Sequence, residues 1–568
     1  MSAHVLRITD GTTTKTFTSG DSMSLVTYDP QVSLNGEDIT ETFRVNLTSK
    51  TPATNTATFQ ALERLFMQAR NYAETETGKR VYAELDPGTS GTAWRSQIRN
   101  GRVTLNGEVL ATRQYDQTIM ATVTWTRQGF WEGALTAVPL TNASAADDVA
   151  GIGISNRADG GTCQVETATI VGTIGPAGAG LADVILTAAG MTGSPITTEV
   201  SLANDDTPTQ SAVKMAAALN LNSDITDIFN ITSSGADLIA TRLVAAANDT
   251  DMNIAYDNNT TSDLTPDATS ANTVAGSATD HENWVSIKAA GVAGDLPAPI
   301  KLQMYNSKSG ADASDEIYVF HNVYSTPASL DHILEGEEAT GGTVTDTPDA
   351  TSSGGFYAAL TYTATTETLV ATWALSTTEL SYMAGGRFKI LARWAADFPY
   401  TDMWLRLKLE GANSVLWTGD LSLIPNTRQL HELDTCRLPP YLAGQAALKG
   451  INLKLYALRN QAGAHTTKLD YLQLSPISGY NGWKRFVSVD DGVEYQEYFT
   501  HDATEGFTYR TDTSSKIIAE FTDYGGDIML VPNAVQKLYM LSCDESGDAH
   551  VEQTWTVKLW YRPRRNVF

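Results

Sequence analysis

Ile119, Ala121, Val123 and Trp125 stand at every second position with mostly polar residues between them, and the same alternation returns in Trp555, Val557, Leu559 and Tyr561. In an extended strand successive side chains point to opposite faces, so this spacing builds sheets with one buried face. Between such runs the chain places Thr, Ser, Gly, Asp and Pro, which end strands and form turns. A helical bundle is disfavoured over most of the sequence, and a mainly β, multi-domain fold is expected. Its 568 residues exceed the roughly 250 to 300 at which one core stops growing, which predicts about three to five domains.

The alternation breaks in two places. From Ala57 to Glu76 the apolar residues Phe59, Leu62, Leu65, Phe66, Ala69 and Tyr72 recur at helical steps, and Gly78 supplies a stop. Further on, Thr207 and Gln210 form a capping box around Pro208, which predicts a second helix with Val213 to Leu221 carrying its apolar face. Asn106-Gly107 predicts a tight hairpin turn. Residues 141–162 read as a linker, since Asn, Ala, Ser and Asp give way to glycines without apolar periodicity, and 340–355 read as a second loop. The expected organisation is an N-terminal β-domain with one helix over 1–145 and a small α/β insertion module over 163–276. A β-sandwich follows from 283–345 together with 479–568, and a jelly-roll or galectin-like β-sandwich over 356–476.

Charge narrows the partners. Lys and Arg total 39 against 65 Asp and Glu, a formal charge of −26, which repels a phosphate backbone and disfavours direct nucleic-acid binding. Residues 1–20 lack the apolar core of about 7 to 15 residues that a secretory signal carries. No stretch approaches the roughly 20 apolar residues of a membrane span. Synthesis in the cytoplasm without membrane insertion is expected. Cys163, Cys436 and Cys543 lie far apart with no CxxC pair, which predicts buried free thiols.

No familiar catalytic or metal constellation is present. There is no HExxH, and His332-Ile-Leu-Glu-Gly-Glu-Glu338 offers no second histidine. Asp249-Thr-Asp251-Met-Asn253 begins like a calcium loop, but Ile254 stands where the turn needs glycine and Thr260 where a bidentate glutamate is needed. No GxSxG elbow occurs, and Gly175, Gly178 and Gly180 have no helix directly behind them. Glu410, Asp420, Glu432 and Asp434 are candidates for glycoside cleavage by residue type alone. No catalytic residue, cofactor or metal ligand is therefore expected. The aromatic residues are more informative: Trp373, Trp394, Tyr400, Trp404 and Trp417 crowd into 356–476, and an exposed ring can stack on a sugar. Most of these rings belong in a core. Trp394 and Trp404 sit among alternating apolar positions, so Tyr400 leads Trp404 and Trp417 as a candidate glycan contact.

Several segments resemble long-tailed, siphovirus-like bacteriophage distal tail and tail-tip proteins with carbohydrate-binding-like β-sandwich domains. The helix Phe59 to Tyr72 and the strand running into Thr124-Trp-Thr-Arg-Gln-Gly-Phe-Trp-Glu132 are similar to the ring-forming domain of distal tail proteins. Val165 to Ile174 followed by Thr207 to Val213 resembles a small module of phage tail proteins. Gly294 to Pro299 and Leu469-Asp-Tyr-Leu-Gln-Leu474 are similar to the opening and closing strands of carbohydrate-binding-like sandwiches. Leu530-Val-Pro-Asn533 and Tyr561-Arg-Pro-Arg564 resemble their C-terminal strands, although the glycine expected near Pro532 and Asn533 is missing. The resemblance implies a structural virion protein of the tail tip and no enzyme. It further implies self-assembly into a ring, six copies on a hexameric tail, with tail-tube and hub or fibre proteins as partners and host-surface glycan as a further one. A trimeric receptor-binding fibre and a virion-associated carbohydrate-active enzyme are the alternatives. The first predicts a stalk repeat and the second a large catalytic domain, and neither signature is visible.

Overall fold

The computed structural model describes residues 5–566 except 19–22, 36–37, 50, 88–92, 106–118, 143–148, 159–163, 227, 243–246, 262, 277–281, 309–312, 325–332, 342–343, 350–351, 363–364, 376–385, 397–401, 412–413, 421, 425–427, 438–449, 462, 478 and 550–552. The described chain is mainly β, and its α-helices are confined to the N-terminal unit and the 165–274 module. Cys163 and Asn106-Gly107 lie outside the described residues.

The N-terminal sheet runs in the order Thr14–Thr16, Val5–Thr9, Val81–Asp86, Trp94–Leu105, Ile119–Gln128, Asp38–Leu47, Met23–Asn35. Strict alternation in Ile119–Gln128 buries Trp125, which meets Phe43 and Phe17 edge-to-face at 4.8 and 5.7 Å. Arg127 is buried on that side too, and Glu41 neutralises it through Nη2 at 2.6 Å and Nε at 3.0 Å. The helix Pro52–Thr75 starts ahead of the predicted Ala57 because Pro52 suits a first helical turn, and it ends at Glu76 in the left-handed region, φ 55°. Leu62, Leu65, Phe66 and Ala69 face the sheet. Phe66 lies over Gly101, where a β-carbon would stand 2.2 Å from its ring.

The module between Val165 and Val274 holds a four-stranded and a three-stranded sheet. Its helix Pro208–Leu219 has the predicted capping box, with Gln210 N donating to Thr207 Oγ1 at 3.3 Å and Thr207 N to Gln210 Oε1 at 2.9 Å. The buried face is Ala212, Met215, Ala216 and Leu219, whereas Val213 and Leu221 are exposed. The apolar face thus sits one position earlier than predicted, because burial follows the three-and-four-residue steps from Ala212 and leaves Val213 off the stripe.

A twelve-stranded central sheet joins strands between Trp284 and Tyr324 to strands between Gly482 and Tyr561. Two of its strands come from further upstream. Thr136–Ala137 and Ile152–Ile154 both pair with Trp555–Tyr561. Residues 152–157 are consequently no linker: Ile152, Ile154, Asn156 and Arg157 are buried. A three-residue strand around Gly153 is too short to show periodicity, so its glycines and aspartates dominated the reading.

The inner sandwich has a six-stranded sheet around His465–Pro476 and a five-stranded sheet around Met403–Glu410. It begins before residue 356, since Ile333–Glu335 pairs with His465–Pro476 and Val344–Pro348 with Phe356–Tyr362. Val344–Pro348 is a half-buried edge strand of mostly polar residues, and its composition reads as loop. A second apolar cluster, including Phe320, Tyr539 and Leu541 of the central sheet and Leu391 and Tyr471 of the inner sandwich, welds the two units together. Beside it Arg393 pairs with the fully buried Asp470 and donates from Nη2 to the Ala549 carbonyl at 3.0 Å. Asn156 joins the same seam by exchanging bonds with the Ser542 backbone at 2.8 and 2.9 Å and accepting from the Tyr471 hydroxyl at 2.9 Å.

Candidate functional site

The strand Met403–Glu410 buries Met403, Leu405, Leu407 and Leu409 in the sandwich core and turns Trp404, Arg406, Lys408 and Glu410 outward. Its neighbour Asn452–Arg459 places Leu458, Tyr456 and Lys454 opposite Trp404, Arg406 and Lys408. Cross-strand pairs on one face interact directly, and here they form a continuous polar network. Glu367 holds Lys408 at 3.1 Å and Arg406 at 3.4 Å. The Lys408 ammonium stands 4.0 Å from the centre of the Tyr456 ring. The Tyr456 hydroxyl donates to Glu410 Oε1 at 2.8 Å, and Lys454 Nζ donates to Oε2 at 2.6 Å.

These contacts define the chemistry of the face. The Lys454 ammonium holds the Glu410 carboxyl below its usual range, so Glu410 is a poor general acid and a good acceptor for hydroxyl groups. Burial, and then the hydrogen bond to Glu410, push the Tyr456 hydroxyl up to about 12. Trp404 is half-buried beside the exposed Leu423 on the adjoining strand. An aromatic ring next to alternating fixed donors and acceptors can stack on a sugar ring and bind its hydroxyls.

The three predicted glycan contacts do not converge. Trp404 is on this outer face. Trp417 pairs with Leu409 and packs against the sandwich core, so it belongs to the opposite side of the sheet. Tyr400 lies outside the described residues. Trp394 is buried in the core as predicted and Trp373 with it, whereas Trp404, which also sits among alternating apolar positions, takes the outward phase of its strand. Sequence reasoning missed Tyr456, Lys408 and Lys454, for which the signal was the same alternation that exposes Trp404. Of the carboxylates considered for glycoside cleavage, Glu432 is tied to Lys389, and the Asp434 side chain lies outside the described residues.

Two other polar features stand apart from this face. At the end of the inner sandwich burial, reinforced by the charges of Asp470, Glu338 and Asp346, pushes the Glu337 carboxyl up. Among the described residues no group of histidine, cysteine and carboxylate side chains is arranged to hold a metal ion. Cys436 and Cys543 are both buried. In the N-terminal unit a cleft of about 320 Å³ is lined by Arg70, Asn100, Arg102, Thr124 and Thr126 above Trp125. Among the described residues no helix is long and apolar enough to cross a membrane.

No family model matches the chain, and no curated protein matches it. Solved structures that align with it include the VP2 subviral particle of infectious bursal disease virus, at 10% identity over 74% of this chain and 82% of that one, with a TM-score of 0.15. The T=1 particles derived from infectious bursal virus align at 8% identity over 72% and 79%, with a TM-score of 0.13. At these TM-scores the alignments do not establish a shared fold.

Proposed function

We propose that the chain is a structural virion protein of a bacteriophage tail tip, a distal-tail or baseplate ring subunit joining the tail tube to the host-recognition apparatus. Its N-terminal unit assembles the ring, and its inner sandwich contacts host-surface glycan through Trp404 and the polar network beside it. The observation that carries this reading is the separation of the two units. The helix-bearing N-terminal sheet is one unit, and the inner sandwich is spliced between Tyr324 and Gly482 of the central sheet, with the Trp404 face outward. Heterologous contacts between identical subunits close a ring when the rotation per subunit closes, and the family resemblance supports six copies.

Light scattering with negative-stain imaging of the full chain, alone and with tail-tube protein, tests the assembly. Closed rings are expected. A monomer under both conditions contradicts the ring subunit, and a trimer with a stalk points to a receptor-binding fibre. Glycan-array binding tests the adhesive face: Trp404→Ala is expected to weaken binding at least about tenfold, as loss of a buried aromatic anchor does. Trp417→Ala is expected to lower the melting temperature and leave binding in place. The reverse pattern removes the outer face from the site.

A further inference from the structure

Arginines gather where the end of the chain meets the N-terminal unit. The strand Arg564–Arg565 pairs with Trp131–Glu132. Arg564 lies 4.0 Å over the Phe130 ring, and Arg565 lies 4.7 Å over Trp94. Arg80 reaches across to the Thr504 to Glu505 turn of the central sheet, pairing with Glu505 at 2.9 Å. Arg95 rests 4.4 Å over the Tyr82 ring, and Arg562 donates to the Gly133 carbonyl at 3.3 Å.

The charges do not balance locally. Of the nearby carboxylates, Glu132 accepts from Arg564 at 2.9 and 3.1 Å and Glu505 takes Arg80, while Glu84 stands across the strand pair from Arg95 without accepting from its Nε or Nη2. Among the described residues neither Arg95 nor Arg562 makes an ion pair, although the whole chain carries 26 excess negative charges. Arg95 Nε and Nη2 are both shut away from solvent and find no acceptor among the described residues. Burial and the nearby charge of Arg95 also make Arg562 harder to protonate. A buried donor without a partner is costly, and two on one guanidinium beside a second guanidinium mark a place built for an acceptor. With Tyr82 covering one face of Arg95, the N–H edge remains, and that edge matches two oxygens of one anion.

We infer that this seam binds an oxyanion, of the phosphate or carboxylate class, between Arg95 and Arg562. The anion supplies the missing acceptors, relieves the repulsion between the two guanidinium groups and ties the N-terminal unit to the end of the chain. A free inorganic anion and a carboxylate from a partner protein share this chemistry.

Titration calorimetry on the full chain separates the sources, using inorganic phosphate in one arm and acetate in the other, at constant ionic strength in chloride. Saturable one-site binding in at least one arm is expected. Arg95→Gln and Arg562→Gln are each expected to weaken it at least about tenfold, since each removes one of the two charged forks, whereas Arg70→Gln in the distant cleft leaves it unchanged. The melting temperature gives a second reading: the bound anion raises it in the native chain and not in Arg562→Gln. Absence of heat in both arms overturns the site, and so does binding that survives both seam substitutions. Phosphate binding without acetate binding assigns the site to a tetrahedral anion. Acetate binding assigns it to a partner's carboxylate.

Discussion

At Gly101 the sheet and the long helix approach so closely that a single methyl group would enter the Phe66 ring. Gly101→Ala must therefore push the helix away or force Phe66 off its preferred rotamer, and overpacking of this kind costs about 1 to 3 kcal/mol. A drop in the first urea midpoint of the full chain is the expected result, and an unchanged midpoint would show that the helix yields freely. The glycine was visible in the sequence, but its reason was not, because Phe66 and Gly101 are joined only by packing across sequence-distant elements. Trp417 teaches the same lesson from the other side. Its residue type suggested a sugar contact, yet its face is decided by pairing with Leu409 and by the register shift beside Glu410, neither of which a local pattern contains.

Strands with clear alternation and helices with clear caps were legible as elements, as in Ile119–Gln128, Met403–Glu410 and the Thr207 capping box. Ile152–Ile154 and Val344–Pro348 were not, since the first is three residues long and the second is a polar edge. Within the central sheet the strands Glu316–Tyr324 and Tyr498–Asp502 each bury a histidine. Burial brings His321 down to about 4, and burial with the nearby Lys484 charge brings His501 to about 4, from an ordinary 6.5. Between pH 6.5 and 4 the unfolded chain takes up these protons and the folded sheet does not, so the stabilisation held above pH 6.5 is lost through that window. Asp315 acts in the opposite sense. Burial and the charges of Glu545 and Asp544 raise its carboxyl to about 6, so folding gains from its protonation as the pH falls below that value. Urea midpoints measured at pH 7, 5.5 and 4 should fall, and fall more steeply in Asp315→Asn. A flat profile in both proteins would mean that these histidines open to solvent before the sheet unfolds.

Across the whole molecule the seams, more than the units, escaped the sequence. Arg393 and Asp470 pair across neighbouring strands of the inner sandwich, and the seam to the central sheet is made where Arg393 reaches the Ala549 carbonyl and Asn156 bonds both Ser542 and Tyr471. The N-terminal unit is held by a comparable long-range clasp, with Arg564 pairing to Glu132 and Gly133 N donating to the Pro563 carbonyl at 2.8 Å. Removing residues 562–568 should therefore free that unit to melt by itself. Differential scanning calorimetry is expected to resolve an added early transition, with new protease cleavage between residues 133 and 142; an unchanged thermogram would place the attachment elsewhere. The splice of the inner sandwich into the central sheet bears on how the molecule carries load. A pull on the Trp404 face divides between two covalent strands of chain, one leaving Tyr324 and one returning at Gly482, and the Arg393 bond to the Ala549 carbonyl, with Asn156 bonded to both Ser542 and Tyr471, resists shear between the two units. Neither tether can be stretched alone, so a force applied to that face is transmitted to the central sheet as a couple and not as a peel.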